Sequence, residues 1–291
     1  MLRIVQLNIG SWFEPDWDRR RHEIVAWLDE LEPDVVCMEE AAESANVPNT
    51  AAWLAEHAAG TWNHVFGGAG FDDPAYDQTL RWGPAVLSRW PIDAHQRFSL
   101  PLAADPYPML QAAPWTLLHA RTAGLDVFAV HLAAAPSDGL HRRVQVLAID
   151  EHIRGIRGER DAQPPPGGRR SGMPPILCGD FNAEPDSDEI RFLCGLTSLD
   201  GRVAFFQDAW RIAGDGGPGL TQDWRTHPIA AALNVHRKRI DYVFVGDPFR
   251  RIGHAGRVLS ARVVCDEPRT GIQASDHMGV CVEVSWPDRP N

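Results

Sequence analysis

The sequence predicts a mixed α/β fold: one domain, residues 1–291, with a core built from many strands. Three observations carry this expectation. Short apolar runs of strand length alternate with stretches in which apolar residues recur at helical spacing. The segment GERDAQPPPGGRRSGMPP (158–175) is rich in Pro and Gly, yet strand patterns continue on both sides of it. It therefore reads as an exposed, mobile loop, dispensable to any chemistry, and not as a domain linker. With 291 residues, 44% of them hydrophobic, the chain is long enough to bury a sizeable core.

The elements follow in order. LRIVQLNI (2–9) is strand-like. DWDRRRHEIVAWLDELEP (16–33) carries Ile24, Val25, Trp27, Leu28 and Leu31 at helical spacing, and Pro33 ends it. DVVCMEE (34–40) has the continuous apolar run of a buried strand, and a helix follows around 49–59. GPAVLSRWPI (83–92) reads as a strand stopped by proline. TLLHARTAGLDVFAVHL (116–132) reads as two strands around a tight turn at Ala123-Gly124. A helix from Ser137 to Ile156 takes Ser137 or Asp138 as its N-cap. PILC (175–178), RIDYVFV (239–245), VLSARVVC (258–265) and GVCVEVSW (279–286) are further strands.

Lys and Arg number 28 against 39 Asp and Glu, a formal net charge of −11. Such a surface has no global attraction for a polyphosphate backbone, so a grip on nucleic acid would need a local basic groove. The cysteines, Cys37, Cys178, Cys194, Cys265 and Cys281, are odd in number, scattered and never spaced CxxC. They argue for reduced, buried thiols and against a disulfide framework or a zinc site. MLRIVQLNIG has no long apolar region, and no stretch reaches the roughly 20 apolar residues that span a bilayer. A cytoplasmic protein without stable membrane insertion is the expectation.

One stretch raises a sharper question. CGDFNAEPDSDEI (178–190) ends the apolar run PPILC in Asp180 and Asn182. A turn, a helix cap or an active site would each explain it. Other strand ends also carry polar groups: Asn8, then Glu39 and Glu40, then His131. Asp241 sits within RIDYVFV, and Asp276 and His277 of SDH precede the last strand. Singly, Asn8 and Asp276 suit turns or caps, Glu39 and Glu40 a solvated loop, and His131 a hydrogen-bonded core position. Asp241 is harder to dismiss, because a buried carboxylate needs a partner. Jointly, the carboxylates and amide offer hard oxygen ligands that suit magnesium or manganese better than zinc. Two histidines can protonate or hydrogen-bond a phosphoryl oxygen near neutral pH. A metal, a water-activating carboxylate and imidazoles are the parts that in-line attack on a phosphate ester requires.

In their order along the chain, LNIG, DVVCMEE, AVLSRWPI, AVHL, GDFNAEP, RIDYVFV and SDHMGV resemble the endonuclease/exonuclease/phosphatase superfamily, from about residue 2 to 285. The resemblance implies a four-layer α/β sandwich, two packed and mostly antiparallel sheets flanked by helices, with the site at one sheet edge. It implies Glu40 as principal Mg2+ or Mn2+ ligand, with Asn8 beside it and Asp276 next to the metal. Glu39 stands where the family often has Gln and would act only from behind the ligands. Asp180 would orient or deprotonate the attacking water, and Asn182 would hold a phosphate oxygen. His277 would contact the scissile phosphate with Asp241 fixing its tautomer, and His131 would donate to another phosphoryl oxygen.

Within the family, abasic-site endonucleases usually have Tyr where this chain has His131, and 5-phosphatases have GDLNYR where it has GDFNAE. The expectation is a magnesium-dependent phosphodiesterase or phosphomonoesterase on a phosphorylated small molecule. A nuclease is the alternative, and a catalytically silent binding module on the same fold is the second. Arg225, Arg237, Lys238 and Arg239 in 221–242 form either a solvated loop or an anion clamp on the substrate side.

Overall fold

In the computed structural model, which describes residues 1–161, 164, 166–225 and 227–290, the strands form two sheets. The chain runs β1 (Leu2–Asn8), α1 (Trp17–Leu31), β2 (Val35–Glu43), α2 (Thr50–His57), β3 (Asn63–Phe66), β4 (Ala69–Gly70) and β5 (Arg81–Ser88). It continues with β6 (Ile92–Ser99), α3 (Pro108–Ala112), β7 (Thr116–Thr122), β8 (Leu125–His131), α4 (Gly139–Arg157) and β9 (Ile176–Asp180). After α5 (Asp188–Leu193) come β10 (Phe206–Asp208), α6 (Ala209–Ala213), α7 (Pro228–Ala232), β11 (Asp241–Gly246), β12 (Val258–Val264) and β13 (Gly279–Val284).

The first sheet has seven strands in the order β12-β13-β1-β2-β5-β3, with β4 also on β5; the second has six, β10-β11-β9-β8-β7-β6. Most pairs are antiparallel, but β1 with β2 and β8 with β9 are parallel. The inner faces meet in one apolar layer that includes Ile4, Cys37 and Val86 from one sheet and Leu118, Val127 and Val243 from the other. On the outer faces, α1 and α2 cover Val5, Leu7 and Val36, while α4 and α5 cover Phe128, Leu177 and Phe244. This is the four-layer sandwich. Strands buried on both faces read as unbroken apolar runs, and β8 has no exposed residue. By contrast β6, at a sheet edge, is polar and largely exposed; only the run before Pro91 reads as a strand in the sequence.

Local details refine the sequence reading. Ala123 and Gly124 have φ of 47° and 80°, the paired left-handed geometry of a two-residue hairpin. Helix α1 stops at a left-handed Glu32 just before Pro33, whose ring disfavours the helical region for its neighbour. Asp138 does occupy the N-cap position of α4, but its carboxylate does not cap that helix: it accepts from the Ala135 N–H at 3.0 Å and the Tyr107 hydroxyl at 3.1 Å. All five cysteines are free and buried. No helix among the described residues is long and apolar enough to cross a membrane.

The 158–175 segment departs from the wholly exposed loop that its composition suggests. Positions 162, 163 and 165 lie outside the described residues, but the ends are docked. Asp161 pairs with Arg157 at 2.7 Å and also with Arg251. Buried Arg170 donates to Asp247 and to the Phe249 carbonyl, both at 2.6 Å. Met173 enters the core between the sheets. Arginine side chains carry much of this docking, since their planar forks satisfy carboxylates and carbonyls, and Pro174 and Pro175 are buried as well.

Candidate active site

Strand register brings the polar groups together. In the second sheet His131 pairs across from Asp180, and Asp241 pairs with the same Asp180, so three strand ends place three functional side chains in one row. Gly179 lets β8 and β9 approach this closely, because a Cβ there would fall 2.0 Å from the Val130 carbonyl oxygen. In the first sheet, Gln6 and Asn8 share a face through the two-residue period of β1. The Gln6 amide donates across the sheet interface to Asp241 Oδ1 at 2.9 Å, and the Asn8 amide to Asp180 Oδ2 at 3.1 Å.

Two consecutive glutamates in a regular strand would point to opposite faces. Here the register of β2 against β5 shifts between Met38 and Ala41, and Glu40 has φ of 58°. This bulge re-aims Glu40, as bulges beside active sites do. Both acids then reach the same interior: Glu39 accepts from Gln6 at 2.7 Å and Glu40 from Asn8 at 3.1 Å. Asn182 is also left-handed, at φ of 48°, with its N–H held by Asp180 Oδ1 at 2.8 Å in a side-chain turn.

The histidines are orientated by their neighbours. Asn182 Nδ2 donates to the Leu132 carbonyl at 3.2 Å and lies 3.0 Å from His131 Nε2, so that nitrogen accepts and His131 carries its proton on Nδ1. Nδ1 has no hydrogen-bond partner among the described residues, and Glu40 Oε1 stands 4.0 Å from it. His277 Nδ1 is 2.8 Å from Asp241 Oδ2, while its Nε2 faces Gln222 at 2.8 Å and Asp180 Oδ2 at 3.7 Å. The Gln222 amide also donates to Asp276 Oδ2 at 3.0 Å, which suits an unprotonated Nε2 on His277. Turned over, the same amide would offer its otherwise unpartnered Oε1 to a protonated Nε2.

Burial alone would lower the His277 pKa, yet the carboxylates of Asp241, Asp276 and Asp180 hold it well above the usual histidine range. Burial would raise Asp180, but the imidazoles of His277 and His131 and the Asn182 and Asn8 amides keep it below the ordinary value. Glu40 is raised, by burial first, against the opposing pull of His131 and Asn8. Glu39 is raised well above normal by burial and by nearby Asp241. The structure thus shifts Asp180 and the glutamates around it in opposite directions, down for Asp180 and up for Glu39 and Glu40.

Of the residues singled out in the sequence, His131, Asp180, Asn182, Asp241 and His277 form one contiguous network, and Asn8 joins it to Glu40. Asp276 lies 3.7 Å from His277 Nε2. Asn8 departs from expectation in one respect. Its Oδ1 accepts from the Gly10 N–H at 3.1 Å and its nitrogen faces Glu40, so it braces the acid instead of presenting oxygen beside it. Of the four basic residues of 221–242, three are engaged within the protein: Arg239 is buried against Asp208 at 2.9 Å, Arg237 pairs with Asp223 at 2.9 Å, and Arg225 lies over Trp224.

Sequence reasoning missed several contributors. Buried Arg20 donates to the carbonyls of Ile9, Gly10 and Ala274 and stands 3.6 Å from Glu14. Its place four residues before Ile24, on the apolar stripe of α1, was a readable signal. Glu14 accepts from the Asp276 N–H at 2.9 Å and the Ser275 hydroxyl at 3.1 Å. Burial and Asp276 push its pKa to about 9. Gln6 was readable as the inward partner of Asn8 two residues away. Gln222, Glu14 and His227 sit in irregular segments that carry no periodicity. His227 has no partner for either ring nitrogen among the described residues, and burial pulls its pKa to about 4.

The donor set suits a hard divalent cation. Glu40 and Asp276 each keep part of the carboxylate open, at 18% and 14% side-chain exposure, and Glu14 adds a third acid beside Asp276. Asp180, Asp241 and His277 form a second buried group whose ligand atoms lie within 4.8 Å of one another, but the His277–Asp241 hydrogen bond already engages two of its members.

Comparison with known proteins gives the same picture at the level of the whole chain. A family model described as the Endonuclease/Exonuclease/phosphatase family matches residues 7–277. No curated protein sequence matches significantly. Among solved structures, an endonuclease/exonuclease/phosphatase family protein from Leptotrichia buccalis C-1013-b is 17% identical, with a TM-score of 0.65 over 98% of this chain and 100% of that one. The protein from Beutenbergia cavernae DSM 12333 is 22% identical, TM-score 0.66, covering 97% of this chain and 71% of that chain. TDP2 of D. rerio, solved with a single strand DNA product, is 17% identical, TM-score 0.68, covering 98% and 99%.

Proposed function

The chain belongs to the endonuclease/exonuclease/phosphatase family, and from that premise we propose that it is a divalent-metal-dependent phosphoesterase acting on a phosphorylated small molecule. The family includes metal-dependent phosphoesterases and nucleases. The observation that carries the reading is Asp180, an ionised carboxylate with Oδ2 3.5 Å from His131 Nε2 and 3.7 Å from His277 Nε2.

Asp180 orients a water and accepts its proton as the water oxygen bonds to phosphorus; the ester oxygen leaves on the opposite side. His277, held by Asp241, and the Nδ1–H of His131 donate to non-bridging oxygens, while the Asn182 amide, engaged by the Leu132 carbonyl and His131 Nε2, fixes that tautomer beside the phosphate. Glu40 and Asp276 are the residues that would hold Mg2+ or Mn2+, which when bound neutralises developing charge on the phosphoryl group.

A small substrate is favoured over nucleic acid because the chain is acidic overall and Arg237 and Arg239 already pair with acids. The solved TDP2 complex with single strand DNA product keeps a nuclease as the alternative. The test is hydrolysis of bis-p-nitrophenyl phosphate and p-nitrophenyl phosphate, then plasmid DNA and RNA, with and without magnesium. No metal-dependent turnover of any of them would sink the phosphoesterase reading, and preferential cleavage of DNA or RNA would replace the small substrate.

A further inference from the structure

Beside the hydrolytic groups lies a cavity of about 220 Å³ that the chemistry above leaves unused. Glu40 and His131 are among its lining residues, so the cavity adjoins the reacting centre. Its walls are aromatic. Trp82 and Trp115 cross edge to face, centroids 6.1 Å apart, and His131 packs between them at 5.1 and 5.6 Å. Phe71 stacks on Tyr76 at 4.3 Å and meets Phe13 edge to face at 6.3 Å. Phe13, Tyr107 and Met109 stand at its rim with 49%, 43% and 66% of their surface exposed. Single exposed apolar residues are ordinary, but several gathered around one cavity mark a binding surface.

Two features say what the cavity takes. Among the described residues, no Lys or Arg lines it, so it does not suit a second phosphate or a polyphosphorylated sugar. And Trp82, which lines the cavity and is 4% exposed, has an indole N–H without a hydrogen-bond partner among the described residues. A buried donor left unpaired is unfavourable, and a saturated hydrocarbon chain would leave it so. A flat ring bearing an acceptor would satisfy it while stacking on the walls.

We propose that this cavity holds the organic group esterified to the phosphate, and that this group is a planar ring carrying hydrogen-bond acceptors, either a nucleobase or a substituted aryl ring. The inference rests on the phosphoesterase reading of the neighbouring residues. It selects against inositol polyphosphates, simple sugar phosphates and phospholipid acyl chains.

The experiment measures binding, in magnesium, of product-like monoesters by quenching of intrinsic tryptophan fluorescence and by calorimetry. The ligands are AMP, p-nitrophenyl phosphate analogues that resist turnover, and glycerol 3-phosphate. A ring ligand should bind about 5- to 150-fold tighter than glycerol 3-phosphate, the range that one base–aromatic stack spans. Phe13→Ala, at the exposed rim, and Trp82→Phe, which keeps an aromatic ring in place but removes the N–H donor, should each shrink that ratio without changing glycerol 3-phosphate affinity. AMP as the tightest ligand identifies a nucleobase, and the aryl ester as the tightest an aryl group. Equal affinity for all three, no binding, or a ratio untouched by both variants overturns the proposal. Metal-dependent hydrolysis of bis-p-nitrophenyl phosphate, measured on the same preparation, reports separately on the phosphoesterase reading.

Discussion

His277 and Asp241 form one unit: Nδ1 of the imidazole lies 2.8 Å from one carboxylate oxygen, and Gln6 occupies the other oxygen at 2.9 Å. His277→Ala should lower kcat/KM by about 10²–10⁴, the scale of one acid–base group. Asp241→Asn should cost less. Because the two act together, the double variant should be little worse than His277→Ala alone. Strictly multiplicative losses in saturating magnesium would show that they work independently.

Activity should vanish in excess EDTA and return with magnesium or manganese. Glu40→Ala should raise the magnesium concentration for half-maximal rate by on the order of 10-fold or more, the scale seen when groups at a metal site are lost. Magnesium should also raise the wild-type Tm by mass action on the folded state, and this shift should shrink in Glu40→Ala. Full activity after EDTA treatment contradicts the assignment.

Glu39 offers a pH test. Its folded pKa is raised, by burial and then by Asp241, so the folded state keeps a proton that the unfolded chain releases above its ordinary pKa of about 4.3. Stability from this group is therefore complete below that value and is lost as pH rises. Glu39→Gln removes the titration. In metal-free protein it should raise Tm at pH 8 by at least about 2 °C, the equivalent of roughly 1 kcal/mol at this size. The gain should fade toward pH 5, and the same gain at both pH values would exclude the linkage.

Arg20→Ala should destabilise the protein by about 3–5 kcal/mol, because it removes the buried hydrogen bonds that one guanidinium makes to the carbonyls of Ile9, Gly10, Glu14, Pro15 and Ala274. Arg20→Lys should rescue little, since an ammonium cannot span the same acceptors. Urea denaturation of both variants decides this. A loss below about 1 kcal/mol would put Arg20 in the class of surface ion pairs.

Replacing 162–169 with a short Gly/Ser turn should leave the fold and the rate on a small ester unchanged, whereas Asp161→Ala should lower Tm. The contrast follows from Asp161 pairing with both Arg157 and Arg251. Loss of rate in the loop replacement, with an unchanged circular-dichroism spectrum, would place the segment at the site.

Much of the architecture was legible because β1, β2, β8 and β9 are buried on both faces and so write themselves as largely apolar runs with few polar interruptions. Edge strand β6 and three-residue β10 leave no such trace. Asn8, Glu40, His131 and Asp180 were visible as polar residues that terminate those runs. The bulge that turns Glu40 inward was not, because a left-handed φ at a glutamate has no sequence signature. Nor were Glu14 and Gln222, which reach the centre from loops shaped by tertiary contacts. The arginines of 221–242 misled for a related reason: a charge beside a candidate site reads alike whether it faces a ligand or an internal acid such as Asp208.

The pairing of β1 with β13 also has a meaning in time. Gln6 waits for Asp241, 235 positions later, and the last strand must arrive before His277 and Asp276 can stand beside Glu14. On the ribosome, a growing chain therefore holds its first strand without one of its two neighbours for most of its synthesis. Contacts so distant along the chain also make folding slow. A chain that stops before residue 276 lacks both Asp276 and His277, so the candidate site stays incomplete until the first sheet closes.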